Sequence, residues 1–239
     1  MVSKTAVFSR ERIEVATVEQ ALLGAQQKAQ TLFAAVVDQG LIRPGVLESE
    51  LSRQIHELAK RDFGVRRHWH KRIVRAGSNT VLGYSADAPD RRLAEDDVVY
   101  LDFGPLFDEW EADYGRTYVL GNDPLKHKLV ADIETAFKRG KQRFMEDTEL
   151  TAGGLYDYVS GLAQEAGWEF AAPTAGHLVG HFPHETARGD QPRFSIRHGN
   201  PISLREPDAN GDRRHWILEI HFSDRARTYG GFCEELLTI

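Results

Sequence analysis

The sequence contains a single cysteine, Cys233, among its 239 residues. One thiol excludes an intramolecular disulfide and favours a reducing compartment, so we expect a cytoplasmic protein. Residues 1–15 contain no apolar segment of signal-peptide length. No stretch approaches the roughly 18 uninterrupted apolar residues that a membrane span requires, so we expect no membrane partner.

The chain also lacks an excess of positive charge. It has 30 lysines and arginines against 36 aspartates and glutamates, a formal net charge of −6. This balance argues against a nucleic-acid partner, because nucleic-acid-binding domains usually present a basic face. The hydrophobic and charged fractions, 41% and 28%, are those of an ordinary globular protein. We expect one catalytic domain over residues 1–239, of which residues 1–15 form an N-terminal extension.

Four segments carry apolar residues at helical spacing, and four others are typical of strands. The predicted helices lie within residues 17–40, 47–60, 123–145 and 149–168, and the predicted strands within 97–104, 111–120, 215–222 and 231–239. A Pro-Gly or Gly-Gly loop precedes the second and the fourth helix, which indicates two related halves. The pattern predicts an α+β fold with a mostly antiparallel sheet.

The stretch "YLDFGPLFDEWEADYGRTY" (residues 100–118) is typical of two strands joined by a tight turn. A turn at Phe107-Asp108 would place Asp102 directly opposite Asp113. Like charges on directly opposed residues of an antiparallel pair destabilise it. Acids that point into solvent would avoid that cost. This hairpin alone therefore leaves open whether the two acids lie on a solvated sheet face or form a functional pair.

A second hairpin near the end of the chain repeats the arrangement. A turn near residues 226–227 of "ILEIHFSDRARTYGGFCEELLTI" sets Glu219 opposite Glu234, although a shift of one residue would bring in Glu235 instead. A divalent cation converts the repulsion between such acids into shared coordination. Four carboxylates can hold two metal ions about 3.5–4 Å apart.

Three histidines follow one another closely in "AGHLVGHFPHE": His177, His181 and His184. His177 and His181 have the spacing of a helical zinc motif, but two glycines and a proline in the same stretch argue against a helix. We therefore expect an extended segment that presents its histidines separately. An imidazole beside the carboxylates favours Mn, Fe, Co or Zn over Mg or Ca.

In these motifs the chain resembles the pita-bread metallopeptidases, the family of methionine aminopeptidase, Xaa-Pro aminopeptidase and prolidase. The motifs "LDFG", "DYGRT", "GHLVG", "LEIHF" and "CEELL" match the family pattern in order. The resemblance implies five metal ligands: Asp102, Asp113, His177, Glu219 and Glu234. It spans roughly residues 15–239 and implies the family's pseudo-twofold fold with a curved, mostly antiparallel sheet.

The same resemblance implies the chemistry. Two divalent metal ions, with manganese expected first and Co, Fe or Zn as alternatives, would activate a bridging hydroxide. Glu219 would serve as the general base, and His184 would contact the scissile carbonyl or the developing oxyanion. Arg116 is expected to support a carboxylate.

The sequence departs from the family at one position. Family peptidases carry a further histidine before the first metal strand, and here Gly83-Tyr84 stands in its place. We assign His181, Tyr84 and His70 to substrate binding, with His70 as a histidine that could reach the pocket from its earlier position. The replacement does not affect the predicted metal ligands, but it leaves open whether the protein cleaves peptides.

Three functions therefore remain. The first is a dinuclear-metal aminopeptidase, of the Xaa-Pro type or related, that removes an N-terminal residue from a small peptide. The second is a metal-dependent hydrolase of an amide or C–N bond in a small metabolite, and the third is a non-catalytic binding protein of the same fold. The long first helix is consistent with a homodimer.

Overall fold

A computed structural model describes residues 7–183 and 194–239 of the chain, with side chains described from Val18 onward. The helices are α1 (Val7–Asp38), α2 (Glu48–Phe63), α3 (Pro124–Glu146) and α4 (Ala152–Ala166). The strands are β1 (Ile73–Ala76), β2 (Val98–Phe103), β3 (Leu106–Phe107), β4 (Trp110–Glu111), β5 (Tyr114–Val119), β6 (Glu169–Phe170), β7 (Leu178–Val179), β8 (His215–Ser223) and β9 (Gly230–Leu236). A 3₁₀ turn, Gly77–Val81, follows β1.

Local chemistry sets the ends of the predicted helices. Asp123 caps α3 through its side chain, with a proline at the first helical position, and Thr151 caps α4 in the same way. Gly64 and Gly167 end α2 and α4 in the left-handed conformation that favours glycine. The four predicted helices are confirmed, but α1 begins at Val7, inside the stretch predicted as an extension.

The sheet is antiparallel and has the order β1-β2-β5-β9-β8-β6, with β7 paired to β8. The first three strands of this order come from the first half of the chain and the last three from the second. The halves meet where Gly115 of β5 pairs with Glu234 of β9. This arrangement confirms the predicted α+β fold with its duplicated halves, while β1, β6 and β7 are strands that the sequence did not predict.

Each half buries its own hydrophobic core against its own pair of helices. In the first half, residues of α1 and α2 pack with β1 and β2, as Leu32, Ile55 and Leu101 illustrate. In the second, α3 and α4 pack with β8 and β9, as Ile133, Val159 and Leu218 illustrate. The helices thereby fix both halves of the sheet, and the opposite sheet face is left to carry polar side chains.

The predicted register of the first hairpin is wrong by two residues. Asp102 lies opposite Gly115, and Phe103 lies opposite Tyr114. The turn is at Asp108-Glu109, both of which have positive φ (52° and 67°), the backbone pattern of a two-residue hairpin turn whose twist matches the strands. A shift of two residues keeps every side chain on its predicted face, so Asp102 and Asp113 still meet.

Candidate metal centre

One row of residues crosses four neighbouring strands at the middle of the sheet. Asp102 of β2 faces Gly115 of β5, Gly115 faces Glu234 of β9, and Glu234 faces Glu219 of β8. The predicted register of the second hairpin is therefore confirmed. Because Gly115 has no side chain, the Phe232 ring and Glu234 can pack directly over it, where a Cβ would lie 2.5 Å from the ring.

Asp113 and His177 lie next to the carboxylates of this row. Asp113 lies one residue before β5, and its Oδ2 is 3.2 Å from Nε2 of His177. The same nitrogen is 3.4 Å from Oε1 of Glu219 and 3.8 Å from Oε1 of Glu234. The structure thus brings together the five residues predicted as ligands, although they come from distant parts of the chain.

The His177 segment is held close against β8 by its backbone. Ile217 donates its N–H to the His177 carbonyl at 2.8 Å, and Glu219 donates to the Ala175 carbonyl at 3.0 Å. Gly176 has a φ of 137°, and a Cβ there would lie 2.0 Å from the Ile217 carbonyl oxygen. Only glycine permits this approach, which explains the "GH" step of the motif.

A second imidazole lies on the opposite side of Asp113. Nε2 of His70 is 3.0 Å from Oδ1 of Asp113 and 3.5 Å from Oδ1 of Asp102. His70 precedes β1, and its side chain is only 10% exposed. The structure therefore places His70 in the pocket, in contact with carboxylates predicted to bind metal.

Burial and mutual repulsion disturb the protonation of the carboxylates. Burial, together with the charges of Asp113 and Asp102, raises the pKa of Glu234 well above its ordinary value. Burial also raises the pKa of Glu219, and it raises that of Asp102 to about 7. Burial opposes the shift of Asp113, but His70 and His177 hold its pKa below the ordinary value.

The pKa values of the two histidines are also raised, but by the neighbouring carboxylates and against the effect of burial. Burial alone would lower their pKa values, but the hydrogen bond to Asp113 and the charge of Glu219 raise the pKa of His177 to about 10. Asp113 and Asp102 likewise raise the pKa of His70 to about 9. The buried carboxylates thus favour the protonated forms of His70 and His177.

The donor set fits divalent metal ions. Oε2 of Glu234 is buried and has no hydrogen-bond partner among the described residues. Such an unpaired carboxylate oxygen is costly unless a cation binds it. The side chains of Asp113, His177 and Glu234 offer donor atoms close enough to share one ion, and those of His70, Asp102 and Asp113 form a second such group. Carboxylates with imidazole suit Mn, Fe, Co or Zn.

These donors form the floor of a cavity of about 530 Å³. Aromatic side chains form much of its wall: Trp69, Tyr84, Tyr100 and Phe232. The side chains of Asp102 and Glu219 are 13% and 16% exposed, whereas those of Asp113 and Glu234 are 2% and 3% exposed. All four acids line the cavity, and Asp102 and Glu219 are the more accessible of them.

Arg116 supports the centre from the opposite face of the sheet. Its Nη1 donates to the Glu234 carbonyl at 3.1 Å, and its Nη2 pairs with Oε2 of Glu235 at 2.8 Å. Its guanidinium also lies 4.1 Å from the centroid of the Tyr114 ring. The arginine predicted to support a carboxylate thus holds the backbone of β9 at Glu234, one of the predicted ligands.

The remaining predicted site residues have different positions. Tyr84 lines the cavity mouth and is 54% exposed. His181 is exposed and packs its ring against Trp110, 5.1 Å between centroids, outside the cavity lining that the described residues form. His184 lies outside the described residues, so its role as an oxyanion contact stays a prediction.

His221 and Trp69 are among the cavity residues that the sequence analysis missed. His221 is buried on β8 beside Glu219, with Nε2 2.8 Å from the Thr80 carbonyl oxygen, and burial lowers its pKa to about 4. Because strand side chains alternate, its position two residues after Glu219 could have predicted that it shares the same face. Trp69, which contacts the ring of His177 at 5.5 Å, has no comparable signal in the sequence.

Comparison with known families gives one match. The family described as Metallopeptidase family M24 matches residues 20–210. The Xaa-Pro dipeptidase of Pyrococcus horikoshii is 27% identical over 167 residues, which cover 68% of this chain and 46% of that protein. The chain thus matches less than half the length of the curated relatives.

Solved structures share the fold. The prolidase of Thermococcus sibiricus superposes with a TM-score of 0.75 at 22% identity, over 94% of this chain and 59% of that one. The methionine aminopeptidase of Rickettsia prowazekii gives a TM-score of 0.65 at 16% identity, over 90% of this chain and 94% of that one. The chain therefore has the pita-bread fold.

Proposed function

This chain belongs to metallopeptidase family M24, and we propose that it is a dinuclear-metal aminopeptidase of the Xaa-Pro type that acts on small peptides. The convergence of Asp102, Asp113, His177, Glu219 and Glu234 on the floor of one cavity carries the proposal. Relatives that bear the name Xaa-Pro dipeptidase support the substrate class.

In this proposal the five residues hold two divalent metal ions. When bound, the ions supply a Lewis acid for the scissile carbonyl and a water molecule acidic enough to react near neutral pH. Manganese is the first expectation, with Co, Fe or Zn as alternatives. The buried acids Asp113 and Glu234 would hold the ions together with the more exposed Asp102 and Glu219.

Glu219 is proposed as the general base. Its carboxylate is the most exposed of the four acids, so it can reach both an ion and a substrate lying in the cavity. A carboxylate there can accept a proton from the attacking water and return it to the leaving amine. His184 is proposed to donate to the developing oxyanion, while His181 and Tyr84 are proposed to contact the peptide.

The cavity walls favour a short substrate with an apolar part. Tyr100, Phe232 and Trp69 provide aromatic surface above the acids, and a volume of about 530 Å³ suits a dipeptide or tripeptide rather than a folded protein. Residues 1–239 are proposed as one catalytic domain. A cytoplasmic homodimer without a nucleic-acid or membrane partner remains our expectation, and none of the described helices is long and apolar enough to cross a bilayer.

The test is metal-dependent hydrolysis of a peptide panel. The purified chain is stripped of metal and reloaded separately with Mn, Co, Fe and Zn. It is then assayed with Xaa-Pro dipeptides, Xaa-Pro tripeptides and dipeptides without proline. We expect turnover of an Xaa-Pro peptide that depends on added metal. Loss of the base in Glu219→Gln should reduce kcat by about 10²–10⁴-fold.

Glu169→Gln is the matched control, because Glu169 is an exposed carboxylate on β6 and lies outside the cavity lining. Its activity should equal that of the unmodified protein. If the metal-loaded chain hydrolyses no peptide in the panel, the aminopeptidase proposal is wrong.

A second function is favoured by one feature of the cavity mouth. Gly83 and Tyr84 line it where family peptidases have a substrate-holding histidine. A phenol ring there offers a stacking surface and one hydroxyl, which suits a small amide or another C–N compound. Metal-dependent consumption of a metabolite by a chain inactive on peptides would select this function, and failure to bind metal would favour a non-catalytic binding protein.

A further inference from the structure

His70 and His177 make the same pair of contacts on the two sides of Asp113. Nδ1 of His70 lies 2.8 Å from the Lys71 carbonyl oxygen, and Nδ1 of His177 lies 2.7 Å from the Leu178 carbonyl oxygen. In a neutral imidazole, a proton on Nδ1 that is donated to a carbonyl leaves a lone pair on Nε2. In both residues that nitrogen points at the carboxylates. This is the arrangement of a metal-binding histidine and its orienting hydrogen bond.

The distances around His70 fit a shared ion. Bonds of about 2.1 Å from one ion to two donors, at angles between octahedral and tetrahedral, place the donors about 3.0–3.4 Å apart. Nε2 of His70 lies 3.0 Å and 3.5 Å from the nearest oxygens of Asp113 and Asp102. These values match those around His177, whose Nε2 lies 3.2 Å from Asp113 and 3.4 Å from Glu219.

The backbone fixes His70 in this position. Trp69 donates its N–H to the Gly104 carbonyl at 2.9 Å, and His68 forms an isolated β-bridge with Pro105. The segment is thus bound along the chain that follows β2, the strand carrying Asp102. A Cβ on Gly104 would lie 2.1 Å from the His70 ring and 2.5 Å from Nε1 of Trp69. Gly104 therefore leaves the space that the imidazole fills.

We propose that His70 is a sixth metal ligand, which binds through Nε2 to the ion held by Asp102 and Asp113. The inference rests on the proposed function, because it presupposes that the centre binds divalent ions. It replaces the predicted substrate-binding role of His70 with a role in the metal centre. Each of the two metal positions then has one imidazole, which raises the affinity of the Asp102 position for Co or Zn relative to Mn.

The first measurement uses the unmodified protein loaded with Co(II). A histidine bound through Nε2 keeps its Nδ1 proton, and paramagnetic Co(II) shifts that exchangeable proton far downfield in the ¹H NMR spectrum. Two such signals, which disappear in D₂O, are expected at two equivalents of Co(II), one from His177 and one from His70. A single signal at two bound equivalents would show that His70 is not a ligand, while the metal centre of the proposed function would stand.

The second measurement removes the imidazole. His70→Ala, and His70→Phe as a variant that keeps a ring beside Trp69 and Tyr84, are titrated with Co(II) and analysed for bound metal. Each should lose one downfield signal and bind one of the two equivalents about tenfold or more weaker, since even outer partners of a ligand contribute about 10–100-fold to affinity. His198→Ala is the control, because it removes a histidine that is 79% exposed and paired with Asp157.

The outcomes distinguish the two proposals. Unchanged affinity and unchanged spectra in both His70 variants would overturn the sixth ligand and leave the five-ligand centre intact. Failure of the unmodified protein to bind Co(II) would overturn both. Weakened binding of a single equivalent in the His70 variants, with His198→Ala unchanged, would support His70 as a ligand.

Discussion

Asp102 and Glu219 stand at the two ends of a single row of residues that crosses four strands. Neighbouring strands are about 4.8 Å apart, so the row is about 14 Å long between its end backbones. Their side chains nevertheless border one cavity, whose wall includes the Phe232 ring. Phe232 and Glu234 approach the middle of the row this closely because Gly115 has no side chain.

Gly115→Ala should therefore damage the metal centre more than the fold. The added Cβ would lie 2.5 Å from the Phe232 ring and 3.1 Å from Cβ of Glu234, so both must move. We expect at least tenfold weaker metal binding and a loss of about 1–3 kcal/mol in the free energy of unfolding. Isothermal titration with Co(II) and urea unfolding would measure the two effects.

Gly161→Ala provides the matched control for this substitution. Gly161 lies in α4, and a Cβ there would meet no atom within 4 Å. It should bind metal normally and gain about 0.5–1 kcal/mol of stability, since alanine favours a helix more than glycine does. Equal metal affinity in the two alanine variants would contradict a requirement for glycine at position 115.

Glu234→Gln should have opposite effects on stability without and with metal. Glu234 is 3% exposed, and burial beside Asp113 and Asp102 makes its ionised form unfavourable. A neutral amide of similar shape removes that repulsion, so the metal-free variant should melt at a higher temperature than the metal-free unmodified protein. Thermal unfolding followed by circular dichroism, in chelator and in added metal, would show this.

Added metal should reverse the order of the two proteins. A metal at one hundred times its Kd stabilises the unmodified protein by about 2.7 kcal/mol. For a chain of this size that corresponds to roughly 5–11 °C in Tm. The variant, having lost a ligand, should gain much less. An equal gain in Tm for both proteins would exclude Glu234 as a ligand.

His68 should contribute to a loss of stability in acid. Burial, with Arg72 and His56 nearby, lowers its pKa to about 3, and neither ring nitrogen has a hydrogen-bond partner among the described residues. The unfolded chain therefore binds a proton at this residue between pH 6.5 and about 3 while the folded protein does not. Stability should fall as the pH falls through this window, by up to about 1.4 kcal/mol per pH unit.

His68→Leu should make the pH dependence shallower. Urea unfolding at several pH values between 7 and 4 would give the free energy of unfolding of the variant and of the unmodified protein. The difference between the two should change with pH over this range. His198→Leu, at an exposed histidine, is the matched control variant. Parallel curves for His68→Leu and the unmodified protein would contradict the assignment.

The first hairpin shows where sequence interpretation fails and why the error was harmless. Asp108 was predicted as the second turn residue, but it is the first, because Asp108 and Glu109 both adopt positive φ. Glutamate seldom takes that conformation, so the pattern gave no signal for it. The side-chain alternation of a strand tolerates a shift by an even number of residues, and the acids stayed on the predicted face.

His70 shows a different limit. Its neighbours in "RRHWHKR" are basic and exposed or half-buried, which is typical of a surface segment. Its contact with Asp113 depends on the backbone pairing of residues 67–69 with residues 104–106, and that pairing has no local pattern in the sequence.

The helices and the two acidic hairpins are predictable from the sequence, because turn residues and side-chain alternation are local properties, and the order of the five donors follows from the resemblance to the family. The pairing of β5 with β9 across Gly115 and the contact of His70 with Asp113 are visible only in the folded protein. Those contacts join residues more than forty positions apart. The first contact joins the two separately packed halves, and the second depends on the pairing of residues 67–69 with residues 104–106.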